Sequence, residues 1–469
     1  MDTVYYLAVD IGASSGRHIL GSVQDGRIVL EEIYRFENGM QKSGETLVWD
    51  WKQLYADIKA GIRACKELGK IPVSMGIDTW AVDFVLLDEN DELIGDMVGY
   101  RDSRTQGMDA KVYEHISEHE LYERTGIQKL PFNTIYQWMA VKEQHPEQFE
   151  KAKAMLFVPD FFNFLLTGQK VNEYTNATTS QMVSPETKEW DYELISRMGY
   201  PENIFMPIRK PGTSLGNLRP ELVEELGLDL EVVLPCTHDT GSAVLSVPAN
   251  DDDFLYISSG TWSLLGIERA KADCSDESLA HNFTNEGGYD YQFRYLKNIM
   301  GLWMIQSIRH EFEDKYSFAE ICEQAEQAKD FPSRVDANDD VFLAPDSMVE
   351  AVKAYCANTG QAVPETLGEL ATVVYASLAE CYDKTIRGIE ETTGRIYSRI
   401  HVIGGGANAG YLNQLTANAT KKKVLAGPTE ATAIGNVVAQ MLAKGEFATK
   451  IEARDAIAKS FEITSYKPS

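Results

Sequence analysis

Signals for metal binding and for disulfide bonding are scarce in this chain of 469 residues. Its six cysteines are scattered without a Cys-x-x-Cys pair, and its eight histidines show no pair at the spacing of a zinc-binding helix. We therefore expect no zinc site. Isolated thiols are typical of reducing compartments, so we predict a cytoplasmic protein with free cysteines.

Long apolar runs and excess positive charge are also missing. No run approaches the roughly 20 apolar residues that span a bilayer, and the first residues lack the basic and apolar regions of a secretion signal. Acidic residues outnumber basic ones by 71 to 44, for a net charge of −27. That balance disfavours nucleic acid and anionic membranes as partners. The length suits two or three globular domains.

The phosphate loop of the Gly-x-x-x-x-Gly-Lys-Ser/Thr type is absent from the sequence. A different phosphate-binding pattern lies at residues 9–17, between predicted strands at 4–9 and 18–23. Asp10 ends the first strand, and a turn rich in Gly and Ser then offers N–H groups and hydroxyls to phosphate oxygens. Asp10 is placed to hold a hydrated Mg²⁺ beside them. The pattern favours an actin-like ATPase or a sugar kinase, although a plain tight turn would look similar.

The same pattern returns about 250 residues later. Residues 254–267 again read as an apolar strand, a Ser/Gly turn and a second apolar strand, directly after the polar break at 250–253. Two such hairpins predict a duplicated domain with a cleft between the halves. A third strand is expected at 399–403, and the glycines at 404–406 would let a flat ligand such as adenine approach the backbone, or would simply relax a turn.

Asp239 is the candidate for acid–base chemistry. It follows a short predicted strand and opens an apolar helical run, so a helix cap is one interpretation. The other is a general base that accepts the proton of a substrate hydroxyl during phosphoryl transfer. His238 beside it could orient the substrate or could be structural.

Residues 77–84 place Asp78, Trp80 and Asp83 in an otherwise apolar segment. An aromatic face beside hydroxyl acceptors is typical of a sugar site, whereas a surface turn around one packed Trp is the alternative. Residues 100–104 concentrate the forked donors of Arg101 and Arg104, which suit either a substrate contact or an ion-pair network.

Taken in order, these segments resemble the FGGY family of carbohydrate kinases over nearly the whole chain. The matching strings lie at 9–17, 76–84, 100–105, 131–134, 173–179, 238–240, 258–263, 296–303 and 404–406. Gly-Ala-Ser-Ser-Gly-Arg at 12–17, Glu-Tyr-Thr-Asn-Ala-Thr-Thr at 173–179 and Leu-Lys-Asn-Ile-Met-Gly-Leu-Trp at 296–303 are similar to members that act on L-rhamnulose.

The resemblance implies an α/β fold of two actin-like (ribonuclease H-like) domains with a catalytic cleft between them, at 1–246 for sugar and 247–469 for nucleotide. The last helix could pack back on the first domain. The implied activity is ATP-dependent transfer of a phosphate to the 1-hydroxyl of L-rhamnulose, in L-rhamnose catabolism, with Mg²⁺ as cofactor.

Residue roles are implied in the same way. Asp239 would accept the proton, and the sugar would be contacted by Ala81, His238, Asp239, Thr240 and Asn298. ATP would be bordered by Ala13, Ser14, Ser15, Gly16, Arg17, Thr261, Gln306 and Gly405. The family usually has Gly at the position of Ala81, so the added methyl group could narrow the sugar pocket or shift the choice of ketose.

Other functions remain to be weighed against this one. A kinase for L-fuculose, ribulose or xylulose would share the same motifs. A chaperone-like ATPase would not need the segments around Trp80 and Asp239, and a sugar-responsive repressor would need a helix-turn-helix and a basic face. The expected partners are therefore a ketose and ATP, with no nucleic acid and no membrane, in a monomer or a homodimer.

Overall fold

The computed structural model describes residues Thr3–Ser469, and their contacts divide the chain into two units. The first unit comprises the residues up to Pro248 together with Glu268–Tyr295 and Thr432–Ser460. The second comprises Ala249–Ile267, Leu296–Ala431 and Phe461–Ser469. The domain boundary drawn from the sequence between residues 246 and 247 stays a prediction.

The strands are numbered in chain order. They are β1 (Tyr5–Ile11), β2 (Ser15–Gln24), β3 (Arg27–Glu37), β4 (Gln41–Ser43), β5 (Thr46–Val48), β6 (Pro72–Thr79), β7 (Phe84–Leu87), β8 (Leu93–Ile94), β9 (Ala154–Phe157), β10 (Asn172–Glu173), β11 (Ile208–Arg209), β12 (Ser214–Asn217), β13 (Glu231–Val233), β14 (Phe254–Ser259), β15 (Ser263–Arg269), β16 (Thr284–Gly287), β17 (Phe293–Ile299), β18 (Arg399–Ile403), β19 (Lys423–Ala426) and β20 (Thr464–Tyr466).

The helices connect these strands and are numbered in the same way. They are α1 (Trp51–Glu67), α2 (Met108–Tyr113), α3 (Glu118–Thr125), α4 (Thr134–Gln144), α5 (Pro146–Lys151), α6 (Val158–Thr167), α7 (Tyr174–Thr178), α8 (Tyr192–Met198), α9 (Pro220–Leu226), α10 (Asp239–Leu245), α11 (Asp276–Ala280), α12 (Trp303–Glu311), α13 (Phe318–Gln327), α14 (Met348–Asn358), α15 (Leu367–Thr393), α16 (Gly410–Thr420), α17 (Ala431–Lys444) and α18 (Lys450–Ser460). Short 3₁₀ turns occupy Ser103–Thr105, Glu202–Ile204, Tyr289–Tyr291, Asp340–Phe342 and Gly405–Asn408.

The main sheet of the first unit has the order β12-β13-β6-β1-β2-β3. Strand β1 is apolar except for Asp10 and is buried from Tyr6 onward, as expected of a central strand covered on both faces. It pairs antiparallel with β2 and parallel with β6. The strand predictions at 4–9 and 18–23 are confirmed.

Helix α1 covers one face of this sheet because its apolar residues repeat at helical spacing. Leu54, Ile58, Ile62 and Cys65 are buried on one side, and the Asp50 side chain caps the helix by accepting from the Gln53 N–H. The helix predicted at 52–68 is confirmed.

Helix α17 packs on the sheet through apolar side chains and through a few buried hydrogen bonds. Ala433, Val437 and Met441 join a buried cluster with residues of β1 and β2. Gln440 donates to the Leu7 carbonyl at 2.9 Å and accepts from Ser74 at 2.8 Å. These bonds satisfy buried polar groups and fix the register of the helix on the sheet.

The second unit repeats the arrangement around β1. Strand β14 pairs antiparallel with β15 and parallel with β18, and β15, β14, β18, β19 and β20 lie side by side in that order within its sheet. The two predicted hairpins are therefore present, and in each the first strand also has a parallel neighbour. Within residues 3–469, none of the helices combines the length and the apolar character needed to cross a membrane.

Candidate active site

The two central parallel strands of the first unit end in carboxylates. Asp10 of β1 lies directly opposite Asp78 of β6. One residue further, the Thr79 N–H donates to the Thr237 carbonyl at 2.9 Å, and Thr79 forms a parallel bridge with His238. The carboxyl ends of these strands therefore adjoin the segment that carries Asp239, as is usual for sites in parallel sheets.

Asp239 is the first residue of α10 and follows His238, the N-cap residue. Its Oδ1 accepts a 2.6 Å hydrogen bond from the Thr240 N–H, and its side chain is 33% exposed. Burial and the negative charge of Asp10 raise the pKa of Asp239 to about 7. The carboxyl group thus accepts a bond within the first turn of the helix, stays partly exposed and has a pKa near neutral.

Negative charge is concentrated around Asp10. Its Oδ2 accepts from Arg17 Nε at 3.2 Å and from Arg17 Nη2 at 3.0 Å. Asp78 is fully buried, and it accepts a 2.6 Å bond from Asn436 of α17. Burial and the charge of Asp10 raise the pKa of Asp78 well above its usual range. Neighbouring carboxylates of this kind favour a cation or a shared proton.

The hairpin predicted at 9–17 is present between β1 and β2. Its tip is tied to the next segment, because Asn38 donates from Nδ2 to the Gly12 carbonyl at 2.8 Å and from its N–H to Ser14 at 3.0 Å. Ala13 and Ser14 are exposed at the tip and Ser15 is half-buried. Gly16 lies against Phe36 so closely that a Cβ atom would overlap the ring.

Ala81 lies in the turn after β6, which is anchored by Asp83. Oδ2 of this buried carboxylate accepts from the indole N–H groups of Trp49 at 2.7 Å and Trp80 at 3.0 Å. The two indole rings pack against each other with centroids 4.0 Å apart and planes tilted by 32°, and Trp80 is only 6% exposed. Trp80 therefore packs inside the unit, while Ala81 remains half-buried at the turn.

The turn places Val82 in a strained backbone conformation. Val82 has a φ of +67°, which is unfavourable for a β-branched residue. Its carbonyl accepts from Thr134 Oγ1 at 2.8 Å and from Gln137 Nε2 at 3.3 Å. Such strain persists only where neighbouring groups hold it, and it is common beside functional sites.

The His238 ring is held by charged groups of the hairpin β16–β17. Nδ1 lies 3.0 Å from Arg294 Nη2 and 3.5 Å from Glu286 Oε2, and Nε2 lies 3.5 Å from Asp239 Oδ1. Burial, together with the positive charge of Arg294, lowers the pKa of His238 well below its usual range. The imidazole is therefore neutral near pH 7.

Glu173 fixes the backbone that carries His238 and Asp239. Its Oε2 accepts from the Thr237 N–H at 3.0 Å and from Thr237 Oγ1 at 2.8 Å. Oε1 accepts from the Thr175 N–H at 2.9 Å, and the Thr175 hydroxyl donates to Oε2 at 2.5 Å while accepting from the His238 N–H at 3.2 Å. Glu173 is fully buried, so these donors are what stabilise its carboxylate.

The remaining candidate residues belong to the second unit. The turn after β14 meets the start of α12, because Gly260 and Thr261 carbonyls accept from the Leu302 and Trp303 N–H groups. Thr261 Oγ1 donates to Gln306 at 3.4 Å. Asn298, in β17, is half-buried.

The glycines at 404–406 lie against the same turn. Gly404 has a φ of +83°, and a Cβ atom at Gly406 would overlap the Ser259 side chain. A Cβ atom at Gly405 would meet open space. Thr261, Gln306 and Gly405 therefore lie on neighbouring segments of one unit, while Asp10, residues 13–17, Ala81 and 238–240 belong to the other.

Sequence reasoning missed Arg294 and gave Glu173 no role of its own. A charged residue within the apolar strand Phe293–Ile299 was the available signal for Arg294. Glu173 begins the matching string at 173–179, but that string gives no sign of its partners at 237–238, which are more than 60 residues away.

Comparisons with known proteins agree over both units. The model of the N-terminal domain of the FGGY family of carbohydrate kinases matches residues 5–246, and that of the C-terminal domain matches residues 255–444. A rhamnulokinase of Halalkalibacterium halodurans is 52% identical over 98% of this chain and 98% of its own. Rhamnulokinases of Oceanobacillus iheyensis and Bacillus subtilis are 51% and 40% identical, covering 97% and 95% of their lengths and 98% and 99% of this chain.

Solved structures share the fold at low sequence identity. A gluconate kinase from Lactobacillus acidophilus superposes with a TM-score of 0.82 at 15% identity, over 100% of this chain and 94% of that one. A xylulose kinase from the same organism gives 0.81 at 16% identity, over 99% and 94%. These likenesses confirm the predicted α/β, two-domain kinase fold.

The family models and the full-length relatives define a sugar kinase that uses ATP. The chain belongs to the FGGY family of carbohydrate kinases, as its motifs predict.

The role of Glu173 can be tested by Glu173→Gln. An amide group would place a donor against the N–H and hydroxyl donors of Thr175 and Thr237, so we expect a loss of about 1–3 kcal/mol of unfolding free energy. Urea unfolding measures this loss, and the exposed Glu186→Gln is the matched control. Equal stability of the two variants would contradict the role of Glu173 in holding the segment at 237–238.

Proposed function

We propose that this protein transfers the γ-phosphate of ATP to the 1-hydroxyl of L-rhamnulose, giving L-rhamnulose 1-phosphate and ADP in the breakdown of L-rhamnose. The observation that carries the reaction type is Asp239, a partly exposed carboxylate whose pKa is raised to about 7 beside a neutral histidine. The choice of sugar is supported by relatives named rhamnulokinase at up to 52% identity over nearly full length.

Asp239 is proposed as the general base. Phosphoryl transfer requires little covalent chemistry from the protein, so the base takes the hydroxyl proton as the new phosphorus–oxygen bond forms. Oδ1 is held by the Thr240 N–H, so we assign the proton to Oδ2. His238, Thr240, Ala81 and Asn298 would contact the sugar.

ATP is proposed to bind through backbone groups and hydroxyls rather than through a lysine loop. The hairpin tip at Ala13, Ser14, Ser15 and Gly16, together with Arg17, would border the phosphates. Thr261, Gln306 and Gly405 would contact the nucleotide, and the open space at the Gly405 α-carbon is compatible with close approach of a flat group.

Mg²⁺ is proposed as the cofactor, with Asp10 as a ligand. The facing carboxyl groups of Asp10 and Asp78 supply the oxygen donors that this ion prefers. Among residues 3–469, no three His, Cys, Asp or Glu side chains are arranged to hold a metal ion. Mg²⁺ commonly takes one or two carboxylates and completes its shell with water and phosphate oxygens. When bound, it neutralises phosphate charge.

Location and assembly belong to the same proposal. All six cysteines are free, which is typical of a reducing compartment and supports a cytoplasmic enzyme. We propose a monomer or a homodimer.

The substrate is tested with purified full-length protein, ATP, Mg²⁺ and a panel of L-rhamnulose, L-fuculose, ribulose and xylulose. ADP release should show the highest kcat/KM with L-rhamnulose, and NMR of the product should locate the phosphate on C1. Preference for another ketose would overturn the proposed substrate, and full ADP release without sugar would overturn the proposed kinase activity.

Ala81→Gly is the matched variant. A changed ratio of kcat/KM values between ketoses would assign specificity to the Ala81 methyl group.

The base is tested by Asp239→Asn, which removes the proton acceptor with little change in shape. We expect kcat to fall by roughly 10²–10⁴-fold, with ATP affinity retained. In the unchanged protein, kcat/KM should fall about tenfold per pH unit below pH 7, because the protonated carboxyl group cannot accept the proton. Near-normal turnover of Asp239→Asn would exclude this role.

The metal ligand is tested by Asp10→Ala. Loss of one carboxylate ligand should raise the Mg²⁺ concentration needed for half-maximal rate by about tenfold or more. The exposed Asp346→Ala provides the control for loss of an acidic residue. An unchanged Mg²⁺ requirement would remove Asp10 from the metal site.

A further inference from the structure

Arg294 is almost completely buried in the first unit. Its side chain is 1% exposed, its Nε donates to the Gly287 carbonyl at 2.8 Å, and its Nη2 lies 3.2 Å from Glu286 Oε2. These two contacts hold the guanidinium plane in one orientation. A charge this deeply buried is costly and needs such partners.

The third contact of Arg294 is with a ring nitrogen. Nη2 lies 3.0 Å from Nδ1 of His238, a hydrogen-bonding distance. A guanidinium group has donors only and does not lose its proton in proteins. Nδ1 must therefore be the acceptor, and it carries no hydrogen.

The position of the imidazole hydrogen follows from this contact. A neutral ring without hydrogen on Nδ1 carries it on Nε2, and an imidazolium would place two donors against each other. We propose that Arg294 is a positioning residue that holds His238 in its neutral Nε2–H tautomer, so that the ring presents a hydrogen-bond donor to an oxygen of the sugar beside Asp239. The last clause rests on the proposed function, whereas the tautomer does not.

Glu286 is the group that would otherwise reverse this arrangement. Its Oε2 is 3.5 Å from Nδ1 and would attract a hydrogen onto that nitrogen. Arg294 is closer, at 3.0 Å, and also pairs with Glu286 itself. Charged groups of Arg294, Glu286 and Asp239 all lie within 3.5 Å of the His238 ring. Burial disfavours the imidazolium further.

An Nε2 donor also suits the base. Nε2 lies 3.5 Å from Asp239 Oδ1, which is too far for a strong hydrogen bond. The ring therefore leaves the carboxylate available to accept a proton from the substrate. A hydroxyl or carbonyl oxygen of a ketose could accept from Nε2 while a neighbouring hydroxyl reaches Asp239. His238 would then select for an oxygen next to the reacting carbon.

The tautomer is measured by nitrogen NMR of the full-length protein labelled with ¹⁵N-histidine. His238 signals are assigned by their loss in His238→Asn. We expect a protonated Nε2 and an unprotonated Nδ1 that persist through the neutral pH range. His18 is the internal reference, because its Nε2 lies 3.1 Å from the Ile58 carbonyl and must be protonated. A protonated Nδ1 on His238 would overturn the proposal.

Variants of Arg294 test the cause. Arg294→Lys keeps a charged donor and should retain the tautomer. Arg294→Met leaves Glu286 as the partner of Nδ1, so hydrogen should move to Nδ1 and the ring should titrate nearer its usual pKa. The double variant Arg294→Met with Glu286→Gln leaves no unpaired buried charge and should show a mixture of tautomers. Unchanged His238 signals in both Met variants would overturn the proposal.

Arg454→Met is the control for the general effect of losing a buried arginine. Arg454 belongs to the same unit, donates to the Val244 carbonyl and pairs with Glu268 at 2.8 Å. Its variant should lose stability but keep the His238 signals. If those signals change, a general structural effect replaces the specific one.

Kinetics separate this inference from the proposed function. In Arg294→Met, loss of the donor should raise the KM for L-rhamnulose by about tenfold with the KM for ATP unchanged, and Arg294→Lys should restore much of it. Equal rises in both KM values would overturn the link to the sugar. If L-rhamnulose is not phosphorylated by the unchanged protein, the proposed function fails and the NMR result still decides the tautomer.

Discussion

The candidate site depends on the hydrogen bonds that the buried carboxylate of Glu173 accepts. It accepts from the backbone and side chains of Thr175 and Thr237, and Thr175 accepts from the His238 N–H. These bonds join β10 and α7 to the segment that leads into α10. The position of Asp239 is therefore set by Glu173, which is distant from it in sequence and needs no contact with the substrate.

Electrostatic balance around Asp239 explains why the pKa of this carboxyl group lies near neutral pH in a strongly acidic chain. Burial and Asp10 raise its pKa to about 7, while the Thr240 N–H and the charge of Arg294 oppose the rise. Arg17 neutralises part of Asp10. A pKa near neutral suits the base proposed here, which would be ionised before phosphoryl transfer and hold a proton afterwards.

Local patterns were sufficient for much of this protein. The hairpin around residues 9–17, the second hairpin after residue 253 and helix α1 each follow from the spacing of apolar residues with Gly or Ser at the turns, and the structure confirms them. The motifs also identified the family. The roles of Ala81, Asn298 and the nucleotide contacts stay predictions, because no local pattern states what a side chain touches.

The sequence by itself determined the strands, the turns, the class of enzyme and the candidacy of Asp239, because each depends on residues close together along the chain. Only the tertiary structure decided that Trp80 packs on Trp49 rather than presenting an open face, that Glu173 clamps the loop at 237–238, and that Arg294 meets His238. Those contacts join residues 31 to 64 positions apart, and their geometry arises only when strands and helices pack together and every buried charge must find a partner.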